Sequence, residues 1–179
     1  MGYTIYDSAA RSMQNALNVL HSLRHRDTIT DITVNDIRLS RRTRAIALQT
    51  TFSELSQAFI TPIDREDLLE LRQLTERILR ASEDVILTLY AHGQSAPTSD
   101  DTAALTAVTK ECTLLYEAVD AIASYPRSDT VIDKLTAAEQ QHWLYQDFDS
   151  SPTHHAIRQL SDTCYHTTER LRRILLKMA

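Results

Sequence analysis

The sequence predicts an all-α protein, an antiparallel bundle of about six helices, and three observations carry that prediction. Apolar residues recur at three- and four-residue intervals over long stretches, the spacing that lines one face of a helix. β-Branched residues do not collect in alternating runs. All four prolines (Pro62, Pro97, Pro126 and Pro152) fall between the periodic stretches, and the chain has only 2 glycines, so these residues act as punctuation. With 42% hydrophobic residues in 179, there is enough apolar side chain for the core of one domain.

The first helix is expected over 7–25, with Met13, Leu17, Leu20 and Leu23 on one face. His21 and His25 lie four residues apart and could present two imidazoles to a metal, but no carboxylate stands near them in sequence and Arg24 and Arg26 flank His25. The second helix, capped by Thr30 or Asp31, runs to about Phe59 on a stripe of Leu48, Phe52, Leu55 and Phe59. Its first half carries Arg38, Arg41, Arg42 and Arg44, either a solvated face or a set of partners for acids on a neighbouring helix. The third helix, about 65–90, holds Leu71, Leu74, Ile78, Ala81, Val85 and Leu89 at near-heptad spacing, as shallow-angle bundles do. Residues 93–101, with Gly93, Pro97 and small polar side chains, read as the link between two halves, about 1–92 and 102–179.

Beyond the link, a fourth helix is expected over 102–124, on Leu105, Val108, Cys112, Leu115, Val119 and Ile122. A fifth spans about 129–147, where Val131, Leu135 and Ala138 face inward and Trp143 anchors packing in a cluster with His142 and Tyr145. The last helix follows Pro152, on Ile157, Leu160, Cys164, Thr167, Leu171, Ile174 and Met178. Arg170, Arg172, Arg173 and Lys177 decorate its end, where cations complement the helix dipole and could touch an anionic membrane surface. A faint echo between Arg72-Gln73-Leu74 and Arg158-Gln159-Leu160 fits two related halves of three helices each.

Composition excludes several classes. A net charge of -5 argues against nucleic-acid binding, which needs a basic stripe. Cys112 and Cys164 form no CxxC pair and both fall on apolar stripes, as reduced core thiols of a cytoplasmic protein do. The N-terminus has no apolar signal segment, and no apolar run approaches the roughly 20 residues of a membrane span. There is no GxSxG, GxxxxGK[ST] or HExxH motif, so no catalytic residue and no enzymatic activity are expected.

The most informative stretch is Phe59-Ile60-Thr61-Pro62-Ile63-Asp64-Arg65-Glu66-Asp67-Leu68. Pro62 lacks an N–H and pushes Thr61 out of the α region, which stops the incoming helix. Asp64 reads as the N-cap of the next one, with Asp67 at the capping-box position and Ile63 and Leu68 as a hydrophobic staple. The alternative cap is Thr61 with Pro62 as the first helical residue. This string resembles the signature of the PhoU-like family of phosphate-transport accessory proteins. The likeness covers roughly residues 52–90; elsewhere the chain matches in helix number and spacing.

The resemblance implies a PhoU-like bundle of two three-helix halves. It implies a cytoplasmic accessory or regulator of inorganic phosphate transport that contacts a Pit-type permease, with a homodimer among its arrangements and at most peripheral contact with the membrane. Asp64, Arg65, Glu66 and Asp67 form the expected partner surface. PhoU-like proteins also hold divalent or iron-type metal with Glu/Asp-x-x-x-Asp motifs on their central helices. Here the second-helix positions fall near Thr43 and Ala45, and the third-helix positions at Glu76 and Arg80, so Glu76 alone keeps a ligand-type side chain. The second half offers Thr136 and Gln140, then Ser161 or Asp162 with Tyr165 or His166. The expectation is therefore no bound metal, with Arg41 or Arg44 and Arg77 or Arg80 reaching Glu76 in its place. The alternatives are a metal-binding bundle using His21, His25 or His166, and a purely structural oligomerisation bundle.

Overall fold

The computed structural model describes residues 2–57, 64–124, 129–144 and 151–177, with the backbone alone at 2–4, 52, 54–57, 123–124 and 144. Six helices make up the described chain: α1 (Gly2–Arg24), α2 (Asp31–Gln57), α3 (Arg65–Ala91), α4 (Ser99–Ser124), α5 (Asp129–Leu144) and α6 (Pro152–Lys177). No strand occurs among the described residues. Helix α1 starts well before residue 7 because Ile5, Tyr6 and Ala9 extend its buried stripe. The residues between α3 and α4 shrink to 92–98, because Thr98 and Asp101 cap α4 reciprocally. Thr98 N–H donates to Asp101 Oδ2 at 2.7 Å and Asp101 N–H to Thr98 Oγ1 at 3.4 Å.

Helices α1, α3, α4 and α6 form a ring: α1 packs on α3 and α4, and α6 packs on the same two. Their apolar faces meet in one continuous core that includes Met13, Leu20, Leu68, Ile78, Leu89, Leu115, Leu160 and Leu171. The C-terminal ends of α1 and α3 share one end of the ring with the N-terminal ends of α4 and α6. There Ile29 N–H donates to Ser95 C=O at 2.7 Å, and Asp101 lies 3.2 Å from His154 Nε2. Helix α3 ends in a Schellman motif, with Gly93 at φ +70° and Gln94 N–H donating to Leu89 C=O at 2.9 Å.

The two outer helices are attached differently. Helix α5 lies on both α4 and α6 and buries Val131, Leu135 and Ala138 completely. Helix α2 lies on α3, with Val34 and Ile37 buried near its start and Leu48 half-buried further on. Phe52 and Leu55 side chains, all of Phe59–Ile63, Pro126, Tyr145 and Met178 lie outside the described residues.

Two expectations need correction here. Trp143 is no buried anchor: it is 55% exposed and sets its ring edge against Tyr165, 5.4 Å between centroids. The basic end of α6 is largely committed within the chain. Arg170 pairs with Glu70, Arg172 with Glu139 at 2.6 Å, and Lys177 with Asp67 at 2.7 Å. Among the described residues no helix is long and apolar enough to cross a membrane.

Candidate functional site

Arginines on α2 and acids on α3 build the densest charged cluster of the described chain. On α3, Arg72, Glu76, Arg80 and Glu83 recur at three- and four-residue spacing, so they share a face, and that face meets α2. Arg44 Nε donates to Glu76 Oε1 at 2.9 Å, and its Nη2 donates to both oxygens of Glu83 at 2.8 Å. Arg41 Nε donates to Glu83 Oε2 at 2.7 Å; its Nη2 reaches Asp84 and the Arg80 carbonyl, both at 2.8 Å. Arg80 Nε donates to Glu76 Oε1 at 3.2 Å. Arg72, beneath them, donates to Ser12 of α1 at 3.0 Å and lies 3.5 Å from Glu76 Oε2.

Glu76, Glu83 and Arg72 are buried, whereas Arg41, Arg44 and Arg80 keep partial contact with water. Burial lowers the affinity of the Arg41 and Arg44 guanidiniums for their protons, but the bonds and charges of Glu83, Asp84 and Glu76 outweigh it, so both stay fully cationic.

Of the four α2 arginines, two thus pair with acids of a neighbour, while Arg38 and Arg42 are exposed. Arg41 and Arg44 both take part. Of the two α3 candidates Arg80 reaches Glu76, while Arg77 faces solvent. Glu83 was missed as a partner, although it lies two helical turns beyond Glu76 and therefore on the same face.

The four residues of the expected partner surface differ in exposure. Asp64 is the N-cap of α3 but makes no side-chain capping bond. Asp67 is 3% exposed and accepts from Lys177, so it belongs to the α3–α6 junction. Only Asp64 and Glu66 remain exposed, with Arg65 partly so. His21 and His25 are also exposed, and no group of three or more His, Cys, Asp or Glu side chains among the described residues is arranged to hold a metal.

A second polar cluster lies where α4, α5 and α6 meet. Ser161 Oγ donates to Glu111 Oε2 at 2.7 Å and lies 2.9 Å from His142 Nδ1, which is 3.6 Å from Glu111 Oε1. A hydroxyl has one hydrogen; with that given to Glu111, Ser161 accepts from an Nδ1–H. Serine therefore sits between imidazole and carboxylate, and all three are buried. A nucleophile relay requires the imidazole in the middle and an accessible hydroxyl. The trio is a clamp joining three helices. Next to it lie the buried free thiols of Cys112 on α4 and Cys164 on α6; the neighbouring Cys112 and burial push the Cys164 thiol well above its usual 9.0.

A cleft of about 330 Å³ opens at the shared N-terminal end of α4 and α6, lined among others by His92, Gln94, Asp101, Thr153 and His154.

The described surface also bears an apolar stripe. Ile32, Leu39 and Ile46 on α2 are 71%, 65% and 66% exposed, and their heptad spacing aligns them on the side opposite the buried Val34 and Ile37.

Two solved structures from Shewanella oneidensis MR-1 share this architecture over nearly their whole length. One is a PhoU-like protein (TM-score 0.63, 15% identity, 98% of this chain and 97% of that one). The other is described as a PhoU-like phosphate regulatory protein (TM-score 0.61, 15% identity, 98% and 97%). The chain has the PhoU-like fold. No family model matches the sequence, and no curated protein does.

Proposed function

We propose that this chain is a cytoplasmic accessory and regulatory protein of inorganic phosphate transport, acting on a Pit-type permease by protein–protein contact and not by catalysis. The observation that carries the reading is the whole-chain likeness to a PhoU-like phosphate regulatory protein, together with the Thr61–Asp67 string. Fold alone does not fix function, so the contact surface has to be argued separately. Exposed apolar side chains aligned on one face mark interaction sites. The outer face of α2, with Ile32, Leu39 and Ile46, is therefore the principal contact surface, and Asp64 and Glu66 form an acidic second patch.

Deleting the gene should alter phosphate uptake or its response to phosphate supply, and the permease should co-purify with the wild-type chain. Leu39→Glu should lose the permease while keeping its helical circular dichroism. Unchanged uptake and regulation in the deletion strain would end the proposal.

The heptad spacing of the same stripe favours a second reading, a homodimer through α2. Sedimentation of wild type and Leu39→Glu separates the two: a dimer that Leu39→Glu dissociates, with no effect on uptake, favours self-association.

A further inference from the structure

We infer that arginines of α2 and α3 supply the positive charge that balances the buried carboxylates of α3, and that this chain holds no metal ion at the place where the PhoU-like resemblance implies one. The donor set fails the fit for a metal. Glu76 opens a Glu/Asp-x-x-x-Asp motif, but the residue four positions on is Arg80. The next acid on that face, Glu83, has both oxygens engaged by Arg44 Nη2, and Arg41 Nε shares Oε2. Glu76 Oε1 accepts from Arg44 and Arg80, and its Oε2 faces Arg72 at 3.5 Å. A hard divalent ion gathers about six oxygens at about 2.0–2.6 Å. Here every oxygen of both carboxylates already faces a guanidinium nitrogen. The orphaned polar atom of the cluster points the same way: Arg72 Nε, buried and without a hydrogen-bond partner, is a donor, which a cation cannot satisfy.

The exchange alters how α2 is held. With no ligand-type side chain at Thr43 or Ala45 of α2, a metal held by the α3 acids alone would neutralise them with α2 in place or absent. Arg41 and Arg44 belong to α2, so the acids keep these counter-charges only while α2 is docked. Helix α2 is thus a tethered ligand of α3, and its docking is coupled to charge neutralisation inside the bundle.

Two measurements test this independently of phosphate transport. The first uses untagged chain expressed in medium supplemented with manganese and iron. Mass spectrometry should find far less than one ion per chain, and neither EDTA nor added manganese should move the melting temperature. Stoichiometric metal that is lost in Glu76→Gln/Glu83→Gln would overturn the inference, and the wild-type values decide even if that variant does not fold. The second is amide exchange on Arg41→Gln/Arg44→Gln. Amides of α2 should exchange about tenfold faster or more, while those of α4–α6 keep their protection. Unchanged protection in α2 would equally overturn it, because the arginines would then not be holding the helix.

Discussion

Raising the pH should loosen the junction of α4, α5 and α6, and Glu111→Gln should remove most of that sensitivity. Glu111 is 2% exposed. Burial, the largest influence, pushes its carboxyl pKa above the usual 4.5; Asp162 pushes the same way, and His142 and Ser161 pull against it. The Glu111 carboxylate, 3.6 Å away, is the main cause that lifts the His142 imidazole above its usual 6.5; Asp162 helps, while burial and Arg158 oppose. Both groups bind protons more tightly folded than unfolded. A raised folded-state pKa gives stability that is complete below the unfolded value and is lost as pH climbs through the folded one. Native Glu111 therefore holds its proton more tightly above pH 4.5 and native His142 above pH 6.5, and stability falls as pH climbs through the raised folded value of each. Each extra native proton contributes a slope of at most about 1.4 kcal/mol per pH unit. The other raised groups act at higher pH: Lys177 above its usual 10.5, and Tyr6, pushed up to about 12 by burial. Urea unfolding followed by circular dichroism between about pH 5 and pH 9 reads the slope. Trp143, the single tryptophan, has its ring centroid 5.0 Å from that of His142, so quenching by the imidazolium gives a local readout of the same titration. Wild type should lose stability as pH rises, and Glu111→Gln, which keeps an acceptor for Ser161, should give a flatter line. Parallel lines for the two proteins would refute the reasoning.

Three further outcomes are expected from chemical denaturation. Gly93→Ala should cost about 1–2 kcal/mol, because an L-residue is strained at φ +70° although its Cβ would touch nothing within 4 Å. Leu115→Ala should cost about 2–5 kcal/mol, since this fully buried side chain of α4 leaves a cavity that the surrounding helices cannot collapse into. Arg72→Ala should cost about 1–3 kcal/mol by leaving Ser12 and Glu76 Oε2 without their buried donor, whereas Arg77→Ala, facing solvent on the same helix, should stay within about 0.5 kcal/mol.

The six helices were legible because apolar periodicity and proline placement agree. The start of α4 was also readable in principle: Thr98-Ser99-Asp100-Asp101 has a capping-box spacing, hidden by the adjacent Pro97 and small polar residues. The pairing of α2 arginines with Glu76 followed from residue type and helical register. The clamp did not, because Glu111, His142 and Ser161 lie on three helices, each fixed by its own apolar stripe, and only their packing brings the side chains together. Asp67 misled for a related reason. Its local sequence makes it a capping acid, yet Lys177, at the far end of the chain, draws its carboxylate inward. Local rules rank the nearby partners of a charged side chain and are silent on distant ones.

Helix α2 marks the limit of periodicity itself, and that limit bears on function. It has apolar side chains on opposite faces, so spacing alone cannot say which face turns inward. The described chain answers with ion pairs: Val34 and Ile37 dock near the start, Arg41 and Arg44 lock onto α3, and Ile32, Leu39 and Ile46 are left outside. Partly buried ion pairs of this kind add little net stability, because desolvation offsets attraction, but losing either partner is costly, so they fix position strictly. Helix α5, seated on fully buried Val131, Leu135 and Ala138, gains its hold from apolar burial instead. The two halves therefore divide the work: α5 completes the core, and α2 is held in strict register with its apolar face free. A helix whose role was only to complete the bundle would turn that face inward. Held outward by charge, that face is the one the proposed permease contact would use.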